Sequence, residues 1–139
     1  MAITILTNAL VIINGVTLSD HAKSVTVDDS REQVDVTAFG AANKAYAKGL
    51  GDASITVEMF QDYAAGKTHA TLQPLINSTT PITVEVRGDA GARSVTNPAY
   101  VLSALLFDYT MVSGSVGEPS MITVPFVNAS QTGVQYLTA

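Results

Sequence analysis

Residues 54–59 read Ser-Ile-Thr-Val-Glu-Met, with an apolar side chain at every second position. Because side chains alternate between the two faces of a β-strand, this stretch predicts a strand with one apolar and one polar face. Four further stretches alternate in the same way: residues 24–28, 33–37, 82–87 and 121–126. Five such strands, separated by turn residues, predict a mainly β fold, an antiparallel sandwich or barrel.

Three other segments complete the predicted architecture. Asn14-Gly15 joins two short apolar runs and predicts a tight hairpin, because both residues tolerate a positive φ. Residues 100–109 are apolar on both faces, which predicts a central or doubly covered strand. A helical spacing of apolar residues predicts one short helix between about Thr68 and Asn77, flanking the sheet edge.

Composition limits the classes of function. The 139 residues correspond to one domain, and the absence of cysteine excludes disulfides, thiolate metal ligands and a thiol nucleophile. A net charge of −5 is the wrong sign for a protein that grips the nucleic-acid backbone. Only 14% of the residues are charged, which favours a surface that is buried between subunits.

Sequence motifs of enzymes are incomplete in this chain. Gly66-Lys67-Thr68 resembles the end of a phosphate-binding loop, but Gln61 stands where the first glycine is needed. Gly49-Leu-Gly51 lacks the third glycine of a dinucleotide fingerprint and leads into a predicted strand. We therefore expect a protein without catalytic activity, cofactor or metal. The starting segment has no basic region of a signal peptide, and no apolar run is long enough to span a membrane.

The segment Ala38–Gly51 is longer than a hairpin connection requires, which is typical of a functional loop. Its glycines give the backbone freedom, and its aromatic, leucine and lysine side chains could bind a partner. The candidate binding residues are Phe39, Gly40, Lys44, Tyr46, Lys48, Gly49, Leu50 and Gly51.

The order and spacing of several stretches between about Val16 and Phe126 resemble the major tail tube proteins of long-tailed, non-contractile bacteriophages. No single stretch is diagnostic. The stretches are residues 24–30, 34–40, 49–57, 61–62, 69–75, 83–87, 97–100, 106–109 and 114–118.

The resemblance implies a β-sandwich or barrel whose copies form hexameric rings, and rings that stack into a tube. It also implies that the long loop contacts the next ring and that genomic DNA passes through an acidic lumen without specific binding. Tail tip and terminator proteins would lie at the tube ends, within a virion assembled in the host cytoplasm. Many family members carry a C-terminal immunoglobulin-like domain, whereas this chain, ending at Ala139, is expected to be a single domain without one.

Particular acidic residues receive roles from this resemblance. Lys44 and Lys48 could meet Asp28 or Asp29 of the next ring. The lumen is expected to be lined by acids such as those at positions 35, 58 and 85. The alternative for each acid is an ion pair with Lys or Arg at a subunit contact. The three candidate lumen acids are Asp35, Glu58 and Glu85.

Two other functions remain open at this stage. One is a head–tail connector or tail terminator ring protein. The other is a carbohydrate-binding β-sandwich, which would need exposed aromatic rings to stack on sugars. Aromatic residues make up only 6% of the chain and tryptophan is absent, which argues against the second.

Overall fold

The computed structural model describes Ile3 and residues 5–138 and consists mainly of antiparallel β-strands with one short helix, as predicted. The helix at Thr68–Leu72 continues into a 3-10 turn at Gln73–Leu75. The elements are β1 Leu10–Ile13, β2 Val16–Thr17, β3 Ala22–Asp35, β4 Tyr46–Phe60, α1 Thr68–Leu72, β5 Ile82–Arg87, β6 Ala99–Leu106, β7 Met121–Asn128 and β8 Gln135–Leu137.

All the strands belong to one sheet in the order β2-β1-β5-β6-β7-β4-β3. Strand β6 pairs with β5 on one side. On its other side β6 pairs with β8 near its start and with β7 near its end. This central position agrees with the apolar character of both faces of β6. Strand β3 lies at one edge of the sheet.

The sheet curls around a core that the alternating segments supply. In β4 the side chains of Ile55, Val57 and Met59 are fully buried, and they are joined by every second residue of β7. Leu72 and Leu75 of the helical segment close over the same cluster. Each such side chain stabilises the fold by about 1.5–3 kcal/mol through its removal from water.

The predicted hairpin and helix are both present. Asn14 and Gly15 have φ values of 50° and 82°, as the turn between β1 and β2 requires. Pro74 lies in the first turn of the 3-10 segment, where its missing N–H breaks no helical hydrogen bond. Among the described residues, none of the helical segments has the length and apolar character needed to cross a membrane.

Three boundaries differ from the sequence prediction. The strand predicted over residues 100–109 ends at Leu106, and residues 107–109 lie in the connection that follows. Segments 24–28 and 33–37 are predicted as separate strands, but residues 22–35 form the single strand β3. The predicted loop Ala38–Gly51 is shorter, because Tyr46–Gly51 belong to β4 and only residues 36–45 connect the two strands. In this part of the hairpin, β3 and β4 satisfy each other's backbone N–H and C=O groups although their side chains are exposed. The pattern of apolar side chains therefore does not show where the pairing of the two strands ends.

Candidate assembly surfaces

Strands β3 and β4 form a hairpin that extends beyond the core. Ala53 is the last buried residue of β4 toward the hairpin tip, and β7 ends beside Ser54. The β3–β4 ladder nevertheless continues to the pair Asp35↔Tyr46, and Val36 N donates to Ala45 O at 2.9 Å. We call residues 30–52 the arm. An arm that keeps its ladder without a core of its own is a surface suited to contact with another molecule.

The eight predicted stacking residues all lie on the arm, and they comprise three large apolar residues, two lysines and three glycines. Phe39, Tyr46 and Leu50 expose much or all of their side chains. Lys44 lies in the connection at the tip, and Lys48 pairs in register with Gln33. The structure therefore places an apolar set and a basic set of side chains on the same projection.

The glycines of the arm have different roles from the backbone freedom that the sequence suggests. Gly40 has a φ of 81° in the connection, where glycine is favoured. Gly49 and Gly51 lie within β4, beside the register shift between Arg31 and Gln33. A Cβ atom at Gly49 would lie 3.0 Å from Glu32 Cβ, and one at Gly51 would lie 2.8 Å from Arg31 Nη1. At Gly49 a side chain would crowd Glu32 and Val34 across the strands, whereas at Gly51 the flexible end of Arg31 could move aside.

Asp28 and Asp29 lie within β3, at the base of the arm, rather than in a turn. Asp29 Oδ1 accepts a hydrogen bond from Arg31 Nη1 at 2.5 Å, so its charge is already paired within the chain. Asp28 pairs in register with Ser54 and is exposed.

The three predicted lumen acids lie in different environments. Asp35 is on the arm, where its Oδ1 accepts a hydrogen bond from Thr37 N at 2.9 Å. That bond lowers the pKa of Asp35. Glu58 is half-buried on the outer face of β4. Glu85 is only 6% exposed and binds Arg87 and Arg93.

Glu85 does not present a free charge, which corrects its assignment as a lumen acid. Burial raises the pKa of its carboxyl group, but hydrogen bonds from Arg93 and Arg87 lower it by more, and the net pKa is lowered. Arg93 comes from the connection between β5 and β6, which folds over β5 and covers Glu85. The alternative from the sequence was an ion pair at a subunit contact, whereas Glu85 pairs with arginines of its own chain.

The outer face of β3, β4 and β7 carries polar side chains and two acids. Three of its cross-strand rows contain no basic residue, and the exposed Lys23 lies at the β-bulge beside Ser24. The rows are Ser24, Glu58 and Thr123; Thr26, Thr56 and Pro125; and Asp28, Ser54 and Val127.

A charged cluster that sequence reasoning missed lies at the end of the β3–β4 hairpin opposite the arm. It connects the residue before β3 to the segment that follows β4. His21 Nδ1 donates to Asp20 Oδ1 at 2.9 Å, and Nε2 donates to Asp62 Oδ2 at 2.8 Å. Hydrogen bonds from both ring nitrogens favour the charged imidazolium and raise the pKa of His21. Lys67 Nζ lies 3.5 Å from Asp20. Asp20 and His21 are neighbours in the sequence, but Asp62 is 41 residues from His21 and is brought to it by the hairpin.

A second exposed apolar surface lies on residues 107–120, which we call the β6–β7 connection. Phe107, Met111, Val112 and Val116 are exposed there. Sequence reasoning missed this surface, although four large apolar residues in a stretch rich in glycine and serine are a usable signal. Among the described residues, no group of three or more metal-binding side chains could hold a metal ion.

Several solved structures have a similar fold at low sequence identity. A chain in the virion of a native gene transfer agent particle has a TM-score of 0.70 and 14% identity, covering 93% of this chain and 95% of that one. A chain in the tail of an empty gene transfer agent particle with C6 symmetry has a TM-score of 0.65 and 14% identity, covering 86% and 83%.

A third similar structure is a chain in the six-fold symmetrised baseplate of the anti-feeding prophage, with a TM-score of 0.57 and 12% identity, covering 99% and 97%. No protein-family model and no curated protein matches the sequence. At these identities the similarity establishes the fold, which this chain shares with components of tail-like particles.

Proposed function

We propose that this chain is the structural subunit of a phage-type tail tube. Six copies form a ring, the rings stack, and the hollow tube conducts DNA within a virion. The proposal rests first on the arm, a β-ladder that continues beyond the core and carries exposed apolar side chains. An exposed apolar surface of this kind is typical of an interface that a neighbouring subunit covers.

The similar folds support a sixfold assembly. One of the similar structures is a tail with C6 symmetry and another is a six-fold symmetrised baseplate. Strand β3 also lies at a sheet edge, where backbone groups can pair with another chain and join copies side by side.

The polar outer face of β3, β4 and β7 is the surface that suits the lumen. Its cross-strand rows carry Glu58 and Asp28 and no basic residue, so they would repel DNA weakly instead of binding it. Asp35 is on the arm and Glu85 is paired, so within this proposal Glu58 remains the predicted lumen acid.

Electron microscopy of the purified protein tests this function directly. Hollow filaments whose averaged cross-sections have sixfold symmetry are the expected result. Protein that stays monomeric at high concentration, or rings of another symmetry, would contradict it. Single sixfold rings that never stack would favour the second candidate, a ring protein at a tube end, which the likeness to a baseplate chain supports.

A further inference from the structure

Two exposed apolar surfaces lie at opposite ends of one strand. Strand β4 runs from Tyr46 on the arm to Phe60, and Gln61 and Tyr63 follow directly. The side chains of those two residues donate hydrogen bonds to the β6–β7 connection. The 15 residues of β4 span roughly 48 Å at about 3.4 Å per residue, so the two surfaces cannot meet within one chain.

The β6–β7 connection is held in place from beneath. The Tyr109 side chain is buried, and its hydroxyl accepts a hydrogen bond from Gln61 Nε2 at 3.0 Å. Met111 O accepts two further bonds, from Gln61 Nε2 at 2.7 Å and from Tyr63 Oη at 2.6 Å. With its backbone anchored in this way, the connection presents its apolar side chains to solvent on a preorganised surface, which lowers the entropic cost of binding.

The tip of the arm and the β6–β7 connection have opposite charges, although the whole arm carries three acidic and three basic side chains. Residues 36–48 at the arm tip contain Lys44 and Lys48 and no acidic residue. Residues 107–118 contain Asp108 and Glu118 and no basic residue. Across an interface, opposite charges favour the correct partner and set its register.

We propose that the arm of one copy docks on the β6–β7 connection of the next copy. A contact between two different surfaces of identical chains is heterologous, and when it does not close on itself it generates a filament. This inference rests on the proposed function and deepens it by naming the surface that receives the arm. It also replaces Asp28 and Asp29 as partners of the lysines, because both lie at the base of the same hairpin and Asp29 is bound by Arg31.

A charge-reversal experiment tests the pairing. Lys44→Glu with Lys48→Glu should lower the fraction of protein in filaments by roughly tenfold or more, because like charges then face each other. Asp108→Lys with Glu118→Lys should do the same, and the chain with all four changes should assemble again. Sedimentation measures the assembled fraction, and circular dichroism checks that each variant is folded.

The matched control combines the two lysine reversals with Asp28→Lys and Asp29→Lys. If the changes at 28 and 29 restore assembly and those at 108 and 118 do not, the β6–β7 connection is not the docking surface. The arm would still be the stacking element in that case. Wild-type protein that never forms filaments would contradict the proposed function as well.

Cysteine cross-linking tests the same contact independently, since the chain has no cysteine of its own. Phe39→Cys with Val112→Cys should give a ladder of disulfide-linked oligomers in assembled, oxidised protein. Phe39→Cys with Val95→Cys is the control, because Val95 is 79% exposed but lies in the connection from β5 to β6, at the arm end of the molecule. A ladder in the control alone would refute the docking.

Discussion

Glu85 holds a buried negative charge between two arginines, and its loss should be costly. Glu85→Gln keeps the shape of the side chain but weakens both ion pairs. We expect a loss of about 1–3 kcal/mol in the free energy of unfolding, because Arg87 and Arg93 lose their charged partner in a partly buried site. Urea denaturation measures this loss. The control Glu32→Gln, on the exposed arm, should change stability by about 0.5 kcal/mol or less.

His21 should make stability depend on pH. Its pKa is raised in the folded state, so its contribution is complete below about pH 6.5 and is lost as the pH rises through the raised value. The pKa values of Asp20 and Asp62 are lowered, so their contribution is present above about pH 4 and is lost as the pH falls through the lowered values. The cluster should therefore stabilise the hairpin base most between about pH 4 and 6.5.

Urea denaturation at pH 6 and pH 9 measures this effect. The wild-type free energy of unfolding should decrease between the two values, and His21→Gln should reduce that decrease. Asp62→Asn should reduce it too, because it removes a carboxylate partner of the same imidazolium. A His21→Gln variant that keeps the full wild-type decrease would contradict this role for the cluster.

At the scale of single residues, the sequence predicts burial better than partners. Alternation identifies Ile55, Val57 and Met59 as core because the signal is local. Glu85 occupies a polar position of the same kind of pattern and looks exposed. Its partner Arg93 reaches it only because the β5–β6 connection folds back over the strand, and that is tertiary information.

Deletion of the arm should abolish assembly while the rest of the chain still folds. Asp29 pairs directly with Ala53, so replacing residues 30–52 with an Asn-Gly turn would close a short hairpin. None of the removed residues is buried. We expect the free energy of unfolding to change by about 1 kcal/mol or less, while filament formation is lost. Denaturation and light scattering measure the two properties.

A shortened chain that still forms normal filaments would show that the arm is not the stacking element. A shortened chain that unfolds would show that the arm contributes to the core. The sequence indicates an unusual segment here but not its form. Gly49 and Gly51 suggest a loop by composition, whereas in the structure they lie in β4 and make room for Glu32 and Arg31 side chains.

At the scale of the whole molecule, low charge and exposed apolar side chains both indicate buried contacts between copies. The low charge is visible from the sequence alone, since 14% charged residues is a property of the whole chain. The two exposed apolar surfaces can be located only in the folded structure. The arm and the β6–β7 connection lie at opposite ends of the molecule because β4 runs from one to the other. That polarity is what the proposed head-to-tail filament requires, because the two ends of a copy then differ and can bind each other.

The charge of the proposed lumen gives the last prediction. Glu58 lies on the polar outer face of β4, and Thr26 is exposed on the neighbouring strand of the same face. If this face lines the tube, Glu58→Lys with Thr26→Lys would bring positive charge into the channel, and tubes should then retain short duplex DNA at low salt. Retention should fall steeply as salt rises, because phosphate binding releases counterions. Asp89→Lys with Thr96→Lys, exposed positions off this face, is the control and should leave DNA inside the tube unbound. Fluorescent DNA that co-sediments equally with both variants would mean that the face of β3, β4 and β7 points away from the lumen.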